Sequence, residues 1–297
     1  MLHWIHLTVQ KLKEALNVLL YQSMNHVVLY TVVIVVLLIW LGTRRNPLLA
    51  FLEIGRELLR SYKFLLIIAG MISVLTLNKY ELQIEKKMHL GSDFTSLVFG
   101  LEGHFVEYVQ QLFYSPWLTP IIVFFYIFML QSVLAASLGV YLLEKNRVML
   151  YATCYTIMIV YAVAIPFYLY FPVNEVWAYA PAGVRFTMLD VFPRFEQEYR
   201  PLSGLNNCFP SLHTAISVST AILAYRSGNR RWMAITTLSA AMIVFGIFYL
   251  GIHWLTDMLG GTLLAVLSTS AAVQLAKLTL RSGEESLAVR SRATDIQ

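Results

Sequence analysis

Charged side chains are scarce in this chain. They make up 13% of its 297 residues, while hydrophobic residues make up 58%. Charged residues account for about 25% of a typical soluble domain, so this composition excludes an ordinary soluble globular protein. The mean hydropathy of +0.64 predicts instead a protein with several membrane-spanning helices.

Cysteine is equally rare. The two cysteines, Cys154 and Cys208, are predicted to lie at different depths of the membrane, so we expect no disulfide and interpret both as small hydrophobic residues. The net charge of +5 does not indicate a nucleic-acid partner, because the basic residues are accounted for by membrane topology.

Seven apolar runs approach the length needed to cross about 30 Å of hydrocarbon, which predicts an all-α, polytopic membrane protein. The second and fifth runs are short. The runs lie near 26–43, 63–78, 118–143, 149–171, 211–226, 232–252 and 255–278.

Basic residues follow the first, third and fifth runs and recur in the C-terminal tail, as Arg44, Lys145, Arg230 and Arg281 illustrate. Positive charge is retained in cytoplasmic loops, so the alternate segments 79–117 and 172–210 are predicted to be external. We expect a multi-pass protein of the cell membrane whose N-terminus is outside.

Three regions are predicted. Residues 1–62 hold an interfacial amphipathic segment, the first transmembrane helix and a cytoplasmic loop; residues 63–280 form the main transmembrane domain; residues 281–297 form a flexible cytoplasmic tail. The tail is polar, and chain ends of this kind are commonly mobile.

Two external segments are long. Apolar residues recur at helical spacing between Phe94 and Leu112, which predicts one helix, either lying on the outer membrane surface or packed against neighbouring helices, with Glu102 and His104 on its surface. The segment 172–210 is rich in proline, which stiffens a loop.

Three ionisable residues lie at the ends of apolar runs, where such residues are costly and usually functional. His253 and Asp257 are four residues apart and share one face of a helix. The aspartate is placed to accept the Nδ1 proton, which leaves Nε2 as a nucleophile or base. His213 is positioned to protonate a departing oxygen. This pattern favours phosphoryl transfer through a phosphohistidine.

Phosphoryl transfer needs groups that hold and neutralise phosphate oxygens. Candidates are the Ser211 hydroxyl, at the start of a predicted helix, and three arginines of the proline-rich segment, Arg185, Arg194 and Arg200. Helix N-termini also attract anions.

The strings NNCFPSLHTA and GIHWLTDMLGG resemble two signature motifs of the type-2 phosphatidic acid phosphatase superfamily, and the resemblance covers roughly residues 94–265. It implies a six-helix transmembrane core, preceded here by an extra N-terminal helix, and an enzyme without metal or cofactor. It also implies His253 as nucleophile, Asp257 as orienting acid, His213 as general acid and Ser211 as a phosphate ligand. Arg200 and Pro201 resemble the end of the family's first motif.

Two departures from the phosphatase pattern concern the substrate. Pro193 stands where the family has a lysine, and Gly246-Ile247 replaces a Ser-Arg pair. The FPSLH string is closer to inositol phosphorylceramide synthases, which transfer a phospho-headgroup between lipids. The substrate is therefore predicted as a phospholipid or isoprenoid diphosphate, with water or a lipid alcohol as acceptor.

Two other classes compete with this interpretation. Two histidines and an aspartate also suit a divalent metal, although no third strong ligand is obvious; activity that resists EDTA would separate the two. A transporter with a polar external site is the second alternative, although the sequence contains no inverted repeat.

Overall fold

The computed structural model describes residue 21 and residues 23–88 and 93–294. Most of the predicted N-terminal amphipathic segment lies outside the described residues. The described chain contains helices and no strand, which confirms the predicted all-α class. The helices are α1 Met24–Thr43, α2 Leu48–Arg60, α3 Tyr62–Met88, α4 Thr95–Glu102, α5 Phe105–Phe113, α6 Leu118–Leu143, α7 Arg147–Tyr170, α8 Phe195–Glu198, α9 Arg200–Ser203, α10 Leu212–Ser227, α11 Arg230–Tyr249 and α12 Leu255–Thr294.

Each predicted apolar run forms a helix. In the described part of the chain, six of them, α1, α3, α6, α7, α11 and α12, are long and apolar enough to cross a membrane, which confirms a multi-pass membrane protein. The fifth run, 211–226, forms α10. This helix has 16 residues and packs against α7, α11 and α12. Helix α12 continues into the segment for which we predict a flexible tail, and the division into three regions stays a prediction.

Helix α3 is longer than its predicted apolar run because polar residues continue it. The predicted run ended near residue 78, yet the helix continues to Met88 and includes Glu81, which is buried. Its carboxylate accepts a hydrogen bond from Asn207 Nδ2 at 2.9 Å. The polar residues face the interior of the bundle, so they do not end the span.

The helix predicted between Phe94 and Leu112 is two helices, α4 and α5. Gly103 separates them with φ +59° and ψ −131°, a non-helical conformation that glycine adopts at little cost. The prediction of one continuous helix was wrong at this point, because amphipathic spacing continues across the glycine.

The loops with basic residues gather at one end of the bundle. Asn229, before α11, donates to the Gly42 carbonyl oxygen at 2.9 Å and to Glu144, which joins the ends of α1, α6 and α10. The starts of α10 and α12, with both motif histidines, lie at the opposite end. This arrangement agrees with the alternation of basic loops, while the cellular side of each end stays a prediction.

The proline-rich segment before α10 is packed against the histidine end of the bundle. Phe192 and Phe195 are buried there, and Trp177 stacks on Phe186 with ring centroids 4.8 Å apart. The backbone of Val176 and Trp177 donates to carbonyl oxygens of the turn that precedes His253. The segment therefore forms a wall beside the histidines.

Candidate active site

The start of α12 holds His253 and Asp257 in a fixed geometry. Asp257 Oδ2 accepts the Trp254 backbone N–H at 2.9 Å and lies 3.2 Å from His253 Nδ1. The third residue of a helix often caps the helix start in this way. Both side chains are buried. Because the carboxylate is an acceptor, we assign the histidine proton to Nδ1, which leaves a lone pair on Nε2.

His213 approaches this pair from α10. Its Nδ1 lies 3.4 Å from His253 Nε2, so the ionisable groups form a row in the order Asp257, His253, His213. The imidazole of His213 stacks on the Tyr126 ring with centroids 4.2 Å apart. Tyr126 belongs to a π-helical turn of α6, Phe125–Met129, and such turns frequently occur at functional sites.

Ser211 is the N-cap of α10, and its hydroxyl oxygen accepts the Thr214 backbone N–H at 3.2 Å. The Ser211 backbone N–H donates to the Asp257 carbonyl oxygen at 3.1 Å, which joins the two helix starts. Gly261 makes this approach possible, since a Cβ there would lie 2.5 Å from the Ser211 carbonyl oxygen. The structure thus brings His253, Asp257, His213 and Ser211 together.

Arg200 is held in an ion-pair network. Its guanidinium donates to the two Glu175 carboxylate oxygens at 2.6 and 2.9 Å and also to Glu196. Burial lowers the pKa of Arg200, but the hydrogen bonds to Glu196 and Glu175 outweigh it, so the pKa is raised. Arg200 is therefore charged, and its fork is occupied by carboxylates.

The other two predicted phosphate-binding arginines, Arg185 and Arg194, are exposed. Arg185 is 61% exposed and pairs with Asp190 at 2.6 Å, and its guanidinium lies over the Tyr114 ring. Arg194 is exposed before α8. Arg185 is thus engaged by Tyr114 and Asp190, and a phosphate contact for Arg185 and Arg194 stays a prediction.

A matched pair of substitutions tests these arginines. Arg200→Ala is expected to lower the free energy of unfolding by about 3 kcal/mol, because Glu175 is left buried without its counter-ion. Arg185→Ala breaks an exposed pair, which is worth about 1 kcal/mol or less. Detergent-solubilised variants compared in chemical unfolding and turnover check this. An equal loss of unfolding free energy in the two variants would contradict a buried ion pair at Arg200 and an exposed one at Arg185.

Glu102 contributes to the site although the sequence indicated a surface residue. Its carboxylate accepts the backbone N–H groups of Leu255 and Thr256 and the Thr256 hydroxyl. The first turn of α12 leaves these N–H groups without partners, and its N-cap, Trp254, has no acceptor side chain. A helix start without Ser, Thr, Asp or Asn was the sequence signal that an acceptor from elsewhere was needed.

We expect Glu102→Ala to destabilise the protein by about 1 to 2 kcal/mol through loss of this cap. It should also lower kcat more than KM, because the His253 and Asp257 helix start loses its anchor. Glu102→Gln keeps an acceptor oxygen and should recover most of kcat. Glu107→Ala, on α5, is the control, since Glu107 pairs with exposed His104. An unchanged kcat in Glu102→Ala would contradict a positioning role.

Cys208 is a third potential metal ligand that the sequence did not place at the site. Its sulfur and donor atoms of His253 and Asp257 all lie within 4.8 Å of one another. Burial raises the pKa of the thiol, which donates to the Ile252 carbonyl oxygen at 3.7 Å. Metal binding requires a thiolate, and a coordinated cation itself deprotonates the thiol, so the effect of EDTA on activity is the test that separates a metal site from a metal-free one.

The sequence model of the PAP2 superfamily matches residues 96–271, from α4 to the middle of α12. This range is more than half of the chain and contains both histidine motifs. The chain belongs to the PAP2 superfamily. Membership supports a membrane enzyme of the lipid phosphatase or phosphotransferase type and confirms the resemblance predicted from the motifs. The resemblance to inositol phosphorylceramide synthases stays a prediction. No curated protein and no solved structure matches the chain.

Proposed function

We propose that this PAP2 superfamily member cleaves or transfers the phosphate or phospho-headgroup of a membrane lipid at the extracytoplasmic face. The reaction proceeds through a phosphohistidine on His253. One observation supports the proposal: Asp257, His253 and His213 form a row with 3.2 Å and 3.4 Å between successive groups, and its two histidines line a cavity.

In the first step, His253 Nε2 attacks the phosphorus atom, an N–P bond forms and the bond to the leaving oxygen breaks. His213 donates a proton to that oxygen. Asp257 accepts the hydrogen bond from Nδ1 and stabilises the cationic imidazole. In the second step, His213 removes a proton from the acceptor hydroxyl, whose oxygen attacks phosphorus and releases His253.

The start of α10 suits the phosphate oxygens. The first N–H groups of a helix attract anions, and this helix start carries Ser211 as its N-cap and His213 in its first turn. The extracytoplasmic assignment rests on the basic loops at the opposite end of the bundle, which positive charge retention makes cytoplasmic.

Purified protein incubated with a lipid panel tests the proposal. The panel contains a phosphatidic acid, an isoprenoid diphosphate and glycerophospholipids, each with and without a ceramide-like acceptor. Released phosphate identifies hydrolysis, and newly formed phosphodiester lipid identifies transfer. The proposal requires that at least one lipid turns over in wild-type protein and not in His253→Ala; an inactive panel would refute it.

A further inference from the structure

A cavity of about 200 Å³ adjoins both motif histidines. It lies between α3, α6, α7 and the proline-rich wall. Its lining includes four tyrosines, Tyr126, Tyr161, Tyr168 and Tyr199, and two carboxylates, Glu81 and Glu175. A headgroup attached to phosphorus at His253 would extend into this space.

The charge of the lining is unusual for a phosphate site. Among its described residues the cavity wall contains no lysine or arginine. Glu175 forms an ion pair with Arg200, which is not itself a lining residue. Glu81 is 1% exposed and accepts from the Asn207 amide. A monoester or diphosphate brings two or more negative charges, and like charges repel more strongly in the interior of a protein than in water.

Tyrosine rings beside a carboxylate are instead suited to an organic cation. Ring faces attract ammonium and quaternary ammonium groups, an interaction worth about 0.5 to 2 kcal/mol, and a buried carboxylate adds direct charge attraction. Tyr199 is also fixed in place, because its hydroxyl accepts a hydrogen bond from Gln131. One ring face of Tyr126 stacks on His213 and one of Tyr199 stacks on Phe195. The wall thus combines tyrosines with carboxylates, a combination that suits a positively charged group.

We propose that this cavity binds the alkylammonium end of a zwitterionic phospholipid headgroup. This inference rests on the proposed function and names its donor lipid. The phosphodiester lies at His253, and the cationic group lies among the tyrosines near Glu81. His253 Nε2 bonds to phosphorus as the bond to the diacylglycerol oxygen breaks, and His213 protonates that oxygen. The phospho-headgroup stays on His253 until an acceptor hydroxyl removes it.

The test compares phospholipids with the same acyl chains and different headgroups in mixed micelles with wild-type protein. The donors are phosphatidylethanolamine, phosphatidylcholine, phosphatidylglycerol, phosphatidylinositol and phosphatidic acid, and diacylglycerol is measured. We expect kcat/KM for an alkylammonium lipid to exceed that for each of the others by roughly tenfold. Glycerophosphoethanolamine should inhibit more strongly than glycerophosphoglycerol, a readout that needs no variant.

Glu81→Gln removes the charge and keeps the size of the side chain, so the preference for the alkylammonium donor should fall by roughly tenfold. Glu53→Gln on α2 is the control, because Glu53 is exposed and pairs with Arg56; its preference should match wild type. A wild-type preference for phosphatidylglycerol, phosphatidylinositol or phosphatidic acid that depends on His253 would overturn the headgroup assignment and leave the proposed function intact. No turnover that depends on His253 would refute both.

Discussion

Replacing His253 by alanine is expected to abolish turnover, with a loss of about 10⁵-fold or more, as is usual when a covalent nucleophile is removed. The acid-labile phosphoenzyme formed with labelled lipid should disappear as well. The physical reason is that Nε2 is the atom to which phosphorus bonds, and no other group in the row, His213 or Asp257, holds an equivalent lone pair with a carboxylate behind it.

Two measurements keep this result interpretable. His104→Ala is the matched control, because His104 is exposed and pairs with Glu107 on α5; its turnover should equal that of wild type. Labelled phosphate that still attaches to His253→Ala would show that the nucleophile is another residue. Lipid or solute transport that survives in His253→Ala would favour the transporter alternative.

Asp257→Asn is expected to lower kcat by about 10³- to 10⁴-fold, the effect of removing an orienting aspartate from a catalytic triad. Asp257 Oδ2 contacts both His253 Nδ1, at 3.2 Å, and the Trp254 N–H, at 2.9 Å. An amide oxygen in this position keeps both hydrogen bonds but lacks the negative charge that stabilises the cationic imidazole. The helix cap is thus retained while the stabilisation of the charged intermediate is lost.

The stability of Asp257→Asn should therefore change much less than its activity, and unfolding in detergent measured beside turnover separates the two effects. Asp190→Asn is the control, since Asp190 pairs with Arg185 on the surface, and its turnover should be unchanged. If Asp257→Asn keeps a rate within tenfold of wild type, Asp257 is a helix cap and not an orienting acid.

The helices could be predicted because apolar length and helical spacing are local properties of the sequence. The predicted helix ends are wrong where a helix end is determined by tertiary contacts or by backbone conformation and not by the local pattern. The second apolar run was predicted to end near residue 78, but the helix continues past Glu81, whose carboxylate accepts a hydrogen bond from Asn207 inside the bundle. The amphipathic pattern between α4 and α5 crosses Gly103, and only the backbone conformation shows that the helix ends there.

The histidine row could be predicted for a different reason. His253 and Asp257 are one helical turn apart, so their contact follows from spacing, and His213 could be placed by topology at the same end. The contact of Glu102 with Leu255 spans 153 residues of the chain, and that of Arg200 with Glu175 spans 25 residues within the proline-rich segment. No local pattern specifies such pairs, because the same side chains would suit an exposed loop equally well.

The close approach at Gly261 has a consequence for how the sequence can change. Ser211 and Asp257 are joined by a backbone hydrogen bond directly beside this glycine, so a larger residue would separate the two helix starts and both histidine motifs with them. Substitutions in the two motifs are therefore expected to be non-additive, as they are for residues in contact. Although forty residues separate His213 from His253, the two motifs are in contact. The effect of a substitution in one motif is therefore expected to depend on which residues are present in the other.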